Sequence, residues 1–424
     1  MIPLRLDEIA ALGLGRLEGG RPGSVLTAIT SDSREARADE LFVALNSGVR
    51  YVEEARARGA ATLVPDDQHA ALAALATLVR SRSAAQIVAV VGSTGKTSTK
   101  DILRALCAPH APTIASERSL NNEIGLPLTL LRIEPETEIV IAEMGMRGGG
   151  QIAELCAIAQ PVIALVTSIG PEHLELLGSV EQVAAANAEA IAALPSGGVA
   201  VVPAGARELD PYLEREDIQV RRFGPDGLEL ENRHAKFRID GRAVELDLPF
   251  TGRHQALNTL AALHAYAALG LPLARARDGV SEIVLSPWRG EELELPGGGL
   301  VINDAYNANP DSMRAALLHL AERAGERKKV AILGEMAELG DVSEQFHREI
   351  GELARELEVA VVGVGERARA YVPVAWAPDA HGAAETAREV IEPGDAVLVK
   401  ASRAVGLEGI ANEIANFAEA WSPS

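Results

Sequence analysis

Ile87-Val88-Ala89-Val90-Val91 runs straight into Gly92-Ser93-Thr94-Gly95-Lys96-Thr97, and apolar residues then recur at helical spacing over 97–106. Strand, glycine turn and helix in that order form the context of a phosphate-binding loop. Glycines let backbone N–H groups approach phosphate oxygens, and the start of a helix favours an anion. Lys96 can reach the terminal phosphates, the Thr97 hydroxyl can bind Mg²⁺, and Ser98 carries the loop into the helix. The longer G-x-x-x-x-G-K-T form requires glycine at position 90, where this chain has Val90. The shorter form is less specific, and its plain alternative is a glycine turn beside a solvated lysine.

Outward from this loop, short β-rich runs alternate with Ala-rich helical stretches. Residues 139–142 (IVIA) and 161–167 (PVIALVT) read as buried strands, and a helix follows from about Ser179. Apolar strands alternating with helices predict a mostly parallel sheet covered on both faces. Residues 228–248 alternate more polar side chains and read as a hairpin-like insertion before a helix over 252–269. Before position 81 the pattern is a small α/β unit, with strands at 41–45 and 61–64 and a helix at 68–80. After Pro296-Gly-Gly-Gly comes a second alternating series, with strands at 300–303, 330–333, 359–362 and 396–400. The expected fold class is α/β in three domains. They are a small α/β N-terminal domain at 1–84, a central P-loop ATPase-like domain with a mostly parallel sheet at 85–295, and a Rossmann-like domain at 296–424.

The chain has 424 residues, 47% hydrophobic and 24% charged, so it holds ample material for several cores. Aromatics are only 3%, which leaves Ala, Val, Leu and Ile to build them. A net charge of −20 argues against a general binder of nucleic-acid backbones. Two cysteines, Cys107 and Cys156, make no disulfide framework. No signal peptide and no membrane-spanning run is visible, so the expectation is a cytoplasmic protein without membrane insertion.

Ligands of open parallel sheets sit beyond the carboxyl ends of the strands. Glu143 follows one such strand and His173 another, so both are expected near Lys96 and Thr97, as a carboxylate and an imidazole able to complete Mg²⁺ coordination around ATP. Arg289, in Pro-Trp-Arg-Gly, lies between the second and third blocks. It serves either to offset charge on a transferring phosphoryl group or to form an inter-domain salt bridge.

Asn121-Asn-Glu-Ile-Gly-Leu-Pro127, Glu143-Met-Gly145, Gly170-Pro-Glu-His173, Gly252-Arg-His254 with Asn258, and Asp304-Ala-Tyr-Asn-Ala-Asn-Pro310 follow the phosphate loop in that order. Together they resemble the Mur ligases, bacterial enzymes that add amino acids to the UDP-linked muramoyl peptide of peptidoglycan. Tyr306-Asn-Ala-Asn-Pro310, Glu143-Met-Gly-Met146 and Gly334-Glu-Met-Ala-Glu-Leu-Gly340 are most similar to the branch that adds D-alanyl-D-alanine. The resemblance implies an ATP-driven amide ligation on UDP-N-acetylmuramoyl-tripeptide through an acyl phosphate, with Lys96, His173 and Arg289 as catalytic residues. It places Asn258, Asp304, Tyr306, Asn307 and Asn309 at the nucleotide. It places Ser31-Asp32-Ser33-Arg34 at the uridine end of the UDP-linked substrate, Asn121 and Asn122 at its muramoyl peptide, and Lys400, Ser402 and Arg403 near the acceptor site for D-alanyl-D-alanine. The expected partners are UDP-N-acetylmuramoyl-tripeptide and D-alanyl-D-alanine, with no nucleic acid, and the chain is expected to act as a monomer. The alternatives are another ligase of the superfamily, such as a folylpolyglutamate synthase, or a non-catalytic homologue.

One departure bears on the metal. The family carries a carbamylated lysine on the helix after the His motif, as ligand to a second Mg²⁺. This chain has Asn187 there. An amide takes up no CO₂ and is a weaker ligand for a hard cation than a carbamate. The second ion is therefore expected to be weakly held, unless Glu172 or Glu189 compensates. Gln255 also replaces a commoner asparagine, and the loop at 48–52 is short.

Overall fold

In the computed structural model, which describes residues 1–21 and 23–418, three main sheets follow one another along the chain. The first contains β1 (Gly15–Glu18), β2 (Ala28–Thr30), β3 (Glu40–Val43) and β4 (Ala61–Pro65) in the order β1-β4-β3-β2, with β1 alone antiparallel. Helix α1 (Gln68–Arg80) follows. It starts on Asp67, whose carboxylate accepts from the N–H groups of His69 and Ala70, two donors with no helical partner of their own. Its buried stripe of Leu72, Leu75, Ala76 and Val79 joins Leu126, Leu130 and Ile152 in one core. That shared core docks the first unit on the second.

The second sheet contains β5 (Gln86–Val91), β6 (Thr113–Ala115), β7 (Ile139–Glu143), β8 (Ile163–Val166), β9 (Val199–Pro203) and β10 (Gln219–Phe223). Their order is β10-β9-β8-β5-β7-β6, and every pairing is parallel. Helices α2 (Lys96–Cys107), α3 (Gln151–Ala159) and α4 (Val180–Ala192) connect them. Residues 87–91 are buried on both faces, as a continuous run of Val, Ala and Ile requires. The chain places β7 on one side of β5 and then crosses to put β8 on the other. A crevice opens at such a switch, beyond the carboxyl ends of the strands, and the loop at 92–95 lies there.

Three antiparallel strands, β11 (Leu228–Glu231), β12 (His234–Ile239) and β13 (Arg242–Asp247), form the expected hairpin insertion. They pack on α5 (Arg253–Ala268), which shares a core with α2.

The third sheet contains β14 (Glu291–Leu295), β15 (Gly299–Asn303), β16 (Lys329–Gly334), β17 (Val359–Val364), β18 (Ala375–Ala377) and β19 (Ala396–Lys400) in the order β14-β15-β19-β16-β17-β18. Only the β14–β15 pairing is antiparallel. Helices α6 (Pro310–Ala324), α7 (Ser343–Glu356), α8 (Ala380–Arg388) and α9 (Ile410–Ala418) cover it. Here the expected boundary at 296 needs correction. Pro296–Gly298 is the turn joining two strands of one sheet, so the third unit takes its edge strand from before the glycines. Strands β6 and β18 escaped the sequence reading because three residues carry no usable periodicity.

Glu292 on the edge strand fastens the third unit to the second. The Thr251 hydroxyl, just ahead of α5, donates to it at 3.0 Å, and Arg323 on α6 donates at 2.9 Å. His319 lies 3.6 Å away. Burial alone would raise the pKa of this carboxyl, but hydrogen bonds from His319 and Arg323 outweigh it and hold the group at about 2. A depressed carboxyl pKa contributes stability above the unfolded value near 4.5, lost as pH falls through the folded one. We predict that Glu292→Gln lowers stability by up to about 3 kcal/mol near neutral pH, at ~1.4 kcal/mol per pKa unit. Urea midpoints taken down a pH series should show the gap to the unaltered protein closing as pH drops from 4.5 towards 2.

Candidate active site

The phosphate loop is shaped by two glycines and clamped from one side. Gly92 has φ +123° and Gly95 φ +88°, backbone states that other residues rarely adopt. A methyl group on Gly92 would overlap the Thr167 hydroxyl, and one on Gly95 would overlap the Asn258 amide oxygen. The Gly92 N–H donates to Asn187 Oδ1 at 2.7 Å, the Ser93 N–H to the Ser168 carbonyl at 2.9 Å, and the Thr94 N–H to the Ser168 hydroxyl at 2.8 Å. The Ser93 hydroxyl donates to the Gly170 carbonyl and accepts from its N–H. Three loop donors are thus engaged by protein. The anion-facing donors therefore fall at the start of α2, whose first N–H groups lack helical partners. Lys96 Nζ bonds the Gly92 carbonyl and lies 3.6 Å from Glu172. Burial raises the pKa of Glu172, opposed by the charges of Lys96 and His173.

Next to the loop, Thr97 Oγ1 donates to Glu143 Oε1 at 3.2 Å and accepts from Arg289 Nη2 at 3.0 Å. Asn121 Nδ2 donates to the same carboxylate oxygen at 2.9 Å. Glu143 is 1% exposed, and its other oxygen, Oε2, is buried with no hydrogen-bond partner among the described residues. An unpaired buried carboxylate oxygen beside a threonine hydroxyl suits a hard cation. Mg²⁺ commonly takes one or two protein oxygens and completes its shell with water and phosphate. Among the described residues no cluster of three or more His, Cys, Asp or Glu forms a metal cage. His173 lines the same cavity, but its Nδ1 bonds Glu338 of the third unit.

The third unit brings the loop after β15 over this site. Asn309 caps α6, accepting from the Ser312 N–H at 2.9 Å, and its Nδ2 donates to the Thr94 hydroxyl at 2.9 Å. Lys400, 2% exposed, donates to Asp304 at 2.6 Å and to the Asn307 carbonyl at 2.9 Å. Burial lowers its pKa, against the pull of Asp304. The Ser402 hydroxyl donates to the Ala308 carbonyl and accepts from the Ala337 N–H. Lys400 and Ser402 thus hold the 304–309 loop. Tyr306 stacks under Arg289 at 3.9 Å, and Arg403 lies 4.8 Å over the Trp288 ring. Asn258 Nδ2 donates to Gln255, which reaches the Ser98 hydroxyl and the Arg289 carbonyl.

Most of these groups line one cavity of about 1230 Å³, which extends along α3 to His69 and Ala73 of α1. It collects residues 93–98 of the phosphate loop, Glu143, His173, Asn121, Asn122, Asn258, Arg289, Asp304, Tyr306, Asn307, Asn309, Lys400, Ser402 and Arg403, while Gly92 is not part of its lining. Asn122 also accepts from the Gly125 N–H at 2.9 Å to start a short helix. Ser31, Asp32, Ser33 and Arg34 are not part of this lining. Arg34 pairs with Asp32 at 2.6 Å on the surface, and the Ser33 hydroxyl donates to Glu54. The sequence reading gave no role to His254, which lines the cavity and whose pKa burial lowers to about 4, or to the buried Lys100.

Residues 90–266 match the Mur ligase middle domain and residues 288–403 match the Mur ligase glutamate ligase domain. The UDP-N-acetylmuramoyl-tripeptide–D-alanyl-D-alanine ligase of Bacillus subtilis is 30% identical over 98% of this chain and 99% of its own. The chain belongs to the Mur ligase family. A crystal structure of MurF from Acinetobacter baumannii superposes with a TM-score of 0.86 at 27% identity, covering 98% of this chain and 99% of that one. MurF from Thermotoga maritima, solved with ADP, gives 0.82 at 27% identity over 93% and 98% of the two chains.

In this Mur ligase Asn187 is 1% exposed and turns away from the cavity. Its Oδ1 holds Gly92 and its Nδ2 donates to the Val183 carbonyl at 2.9 Å. Glu189 accepts from the Gly150 and Ala153 N–H groups, so of the two candidate carboxylates only Glu172 faces the loop. Asn187→Ala strands the buried Gly92 donor, a change worth about 1–3 kcal/mol. The expected result is a lower melting temperature together with an ATP KM raised about tenfold, read by steady-state phosphate release.

Proposed function

We infer that this protein is an ATP-dependent amide ligase that adds D-alanyl-D-alanine to UDP-N-acetylmuramoyl-tripeptide. The observation that carries the reading is the single cavity joining a phosphate loop, an unpaired buried carboxylate and the third unit's 304–309 loop, in a chain matched along its length to ligases of that name. The peptide carboxylate attacks the γ-phosphorus of ATP, the bond to the bridging oxygen breaks, and ADP leaves an acyl phosphate behind. The dipeptide amine then attacks the acyl carbon, inorganic phosphate departs, and the amine loses a proton. Mg²⁺, held by Thr97 and Glu143, would supply charge neutralisation at the phosphates.

The chain's own work is placement and electrostatics. Lys96 and Arg289 bring positive charge to the transferring phosphoryl group. Asn258, Asp304, Tyr306, Asn307 and Asn309 hold the nucleotide between two units. Asn121 and Asn122 meet the muramoyl peptide, with Lys400, Ser402 and Arg403 towards the dipeptide. Residues 1–84 take the UDP end, through Ser31–Arg34 on that unit's surface. Residues 85–295 hold ATP, and 296–424 close on it, with the edge strand at Glu291–Leu295 moving with the latter. The enzyme works as a cytoplasmic monomer on small-molecule substrates, and no helix among the described residues is long and apolar enough to cross a membrane.

Incubation of the purified full chain with ATP, UDP-N-acetylmuramoyl-tripeptide and D-alanyl-D-alanine should yield the UDP-linked pentapeptide, ADP and phosphate in equal amounts. Ligation of glutamate to a folate in place of this product would defeat the reading. Lys96→Ala should cut phosphate release at least about a hundredfold with an unchanged circular dichroism spectrum, because the side chain serves no core.

A further inference from the structure

Lysine is almost never fully buried unless its charge is met. Lys100, one turn beyond Lys96 on α2, has 1% side-chain exposure. Its ammonium donates to the Ser116 carbonyl at 2.9 Å and the Arg118 carbonyl at 2.7 Å, and pairs with Asp101 Oδ1 at 3.0 Å. Two of its three donors are spent on those carbonyls, and Asp101 meets its charge. Glu143 Oε2, the oxygen without a hydrogen-bond partner, lies 3.9 Å from the same nitrogen. Lys100 therefore offsets the charge of Glu143 without engaging the oxygen that faces it.

The carbonyls it grips belong to the loop at 116–122. Arg118 sits there at φ +49°, a state that persists only when its surroundings enforce it. Three residues on, Asn121 donates to Glu143 and its carbonyl accepts from the Gly145 N–H at 2.8 Å. Asp101 keeps its second oxygen for another segment. Its Oδ2 accepts from the Ser286 N–H at 2.8 Å and the Ser286 hydroxyl at 2.7 Å. Ser286 stands three residues before Arg289, whose guanidinium meets Thr97. One ion pair on the helix that starts from the phosphate loop thus ties down the two separate segments that bring Asn121 and Arg289 to it.

We propose that Lys100 and Asp101 are positioning residues for ligation. Lys100 fixes the 116–122 loop beneath Glu143, and Asp101 fixes the approach of Arg289 to the phosphoryl site. The role rests on the ligase reading above. Misplacing a reacting or charge-offsetting group by about 1 Å can lower a rate a hundredfold while leaving the ligand bound.

The test compares the unaltered full chain with Asp101→Asn, Ser286→Ala, Lys100→Met and Lys100→Arg. Each is measured for kcat and KM of ligation, for ADP affinity by calorimetry, for melting temperature and for amide hydrogen exchange. Asp101→Asn should lower kcat at least about tenfold with ADP affinity within about threefold, and should speed exchange at 284–290 while leaving 116–122 unchanged. Ser286→Ala should act in the same direction and less. Lys100→Met should lower kcat about a hundredfold and speed exchange at 116–122, with Lys100→Arg recovering part of both. If Lys100→Met does not fold, the Asp101 and Ser286 variants decide alone. Unchanged exchange in both segments, or kcat falling in step with ADP affinity and melting temperature, would overturn the proposal. Exchange needs no turnover, so absence of ligation by the unaltered chain would count against the ligase reading and leave the positioning result standing.

Discussion

A loop that receives phosphate must be held rigid without using the donors that face the ligand. Here the grip comes from behind. Asn187 and Ser168 take the N–H groups of Gly92, Ser93 and Thr94, and the first turn of α2 is left pointing outward. The left-handed glycines follow from this, since the chain must reverse sharply between a buried strand and a helix while backbone atoms of 167–170 press against it. So does the amide at Asn187. A side chain that accepts at one end and donates at the other can bridge the loop and its own helix in a site closed to water, whereas a charged group there would be left without solvent.

The parallel sheet supplies the rest by topology. Because β5 lies between β7 and β8, Glu143 and the 167–173 segment emerge on either side of the loop. The third unit then approaches from above with contacts that each combine two jobs. Asn309 caps its own helix and reaches Thr94. Arg289 meets Thr97 while stacking on Tyr306. His173 is held by Glu338, and both residues occupy left-handed backbone states. Side chains shared in this way couple the arrangement of the units to the order of the site itself.

Much of this was readable from residues close together in sequence. The phosphate loop, Glu143 after its strand, the Ala/Leu helix at 68–80 and the alternating series of the third unit all rest on local pattern. What was not readable lies in long-range pairing. His173 and Glu338 are 165 positions apart and Thr94 and Asn309 are 215 apart, and no periodicity encodes such contacts. Lys100 reads in sequence as an ordinary solvated helix charge. Pro296-Gly-Gly-Gly reads as the start of the third block, because glycines that suit a domain boundary also suit a tight turn between strands. Asn187 was recognised by position, yet its task as a clasp appears only when Gly92 is brought beside it.

The scarcity of aromatic rings gives the molecule an optical simplicity. It has three tryptophans. Trp421 lies outside the described residues. Trp376 is fixed on an edge strand, its indole N–H donating to the Gly365 carbonyl beneath Arg369. Trp288 adjoins Arg289 at the seam between the second and third units, with the Arg403 guanidinium 4.8 Å over its ring. Indole emission responds to the polarity and charge around the ring. One of the three indoles therefore sits at the seam, so a change in its emission reports on how the two units meet without any attached dye.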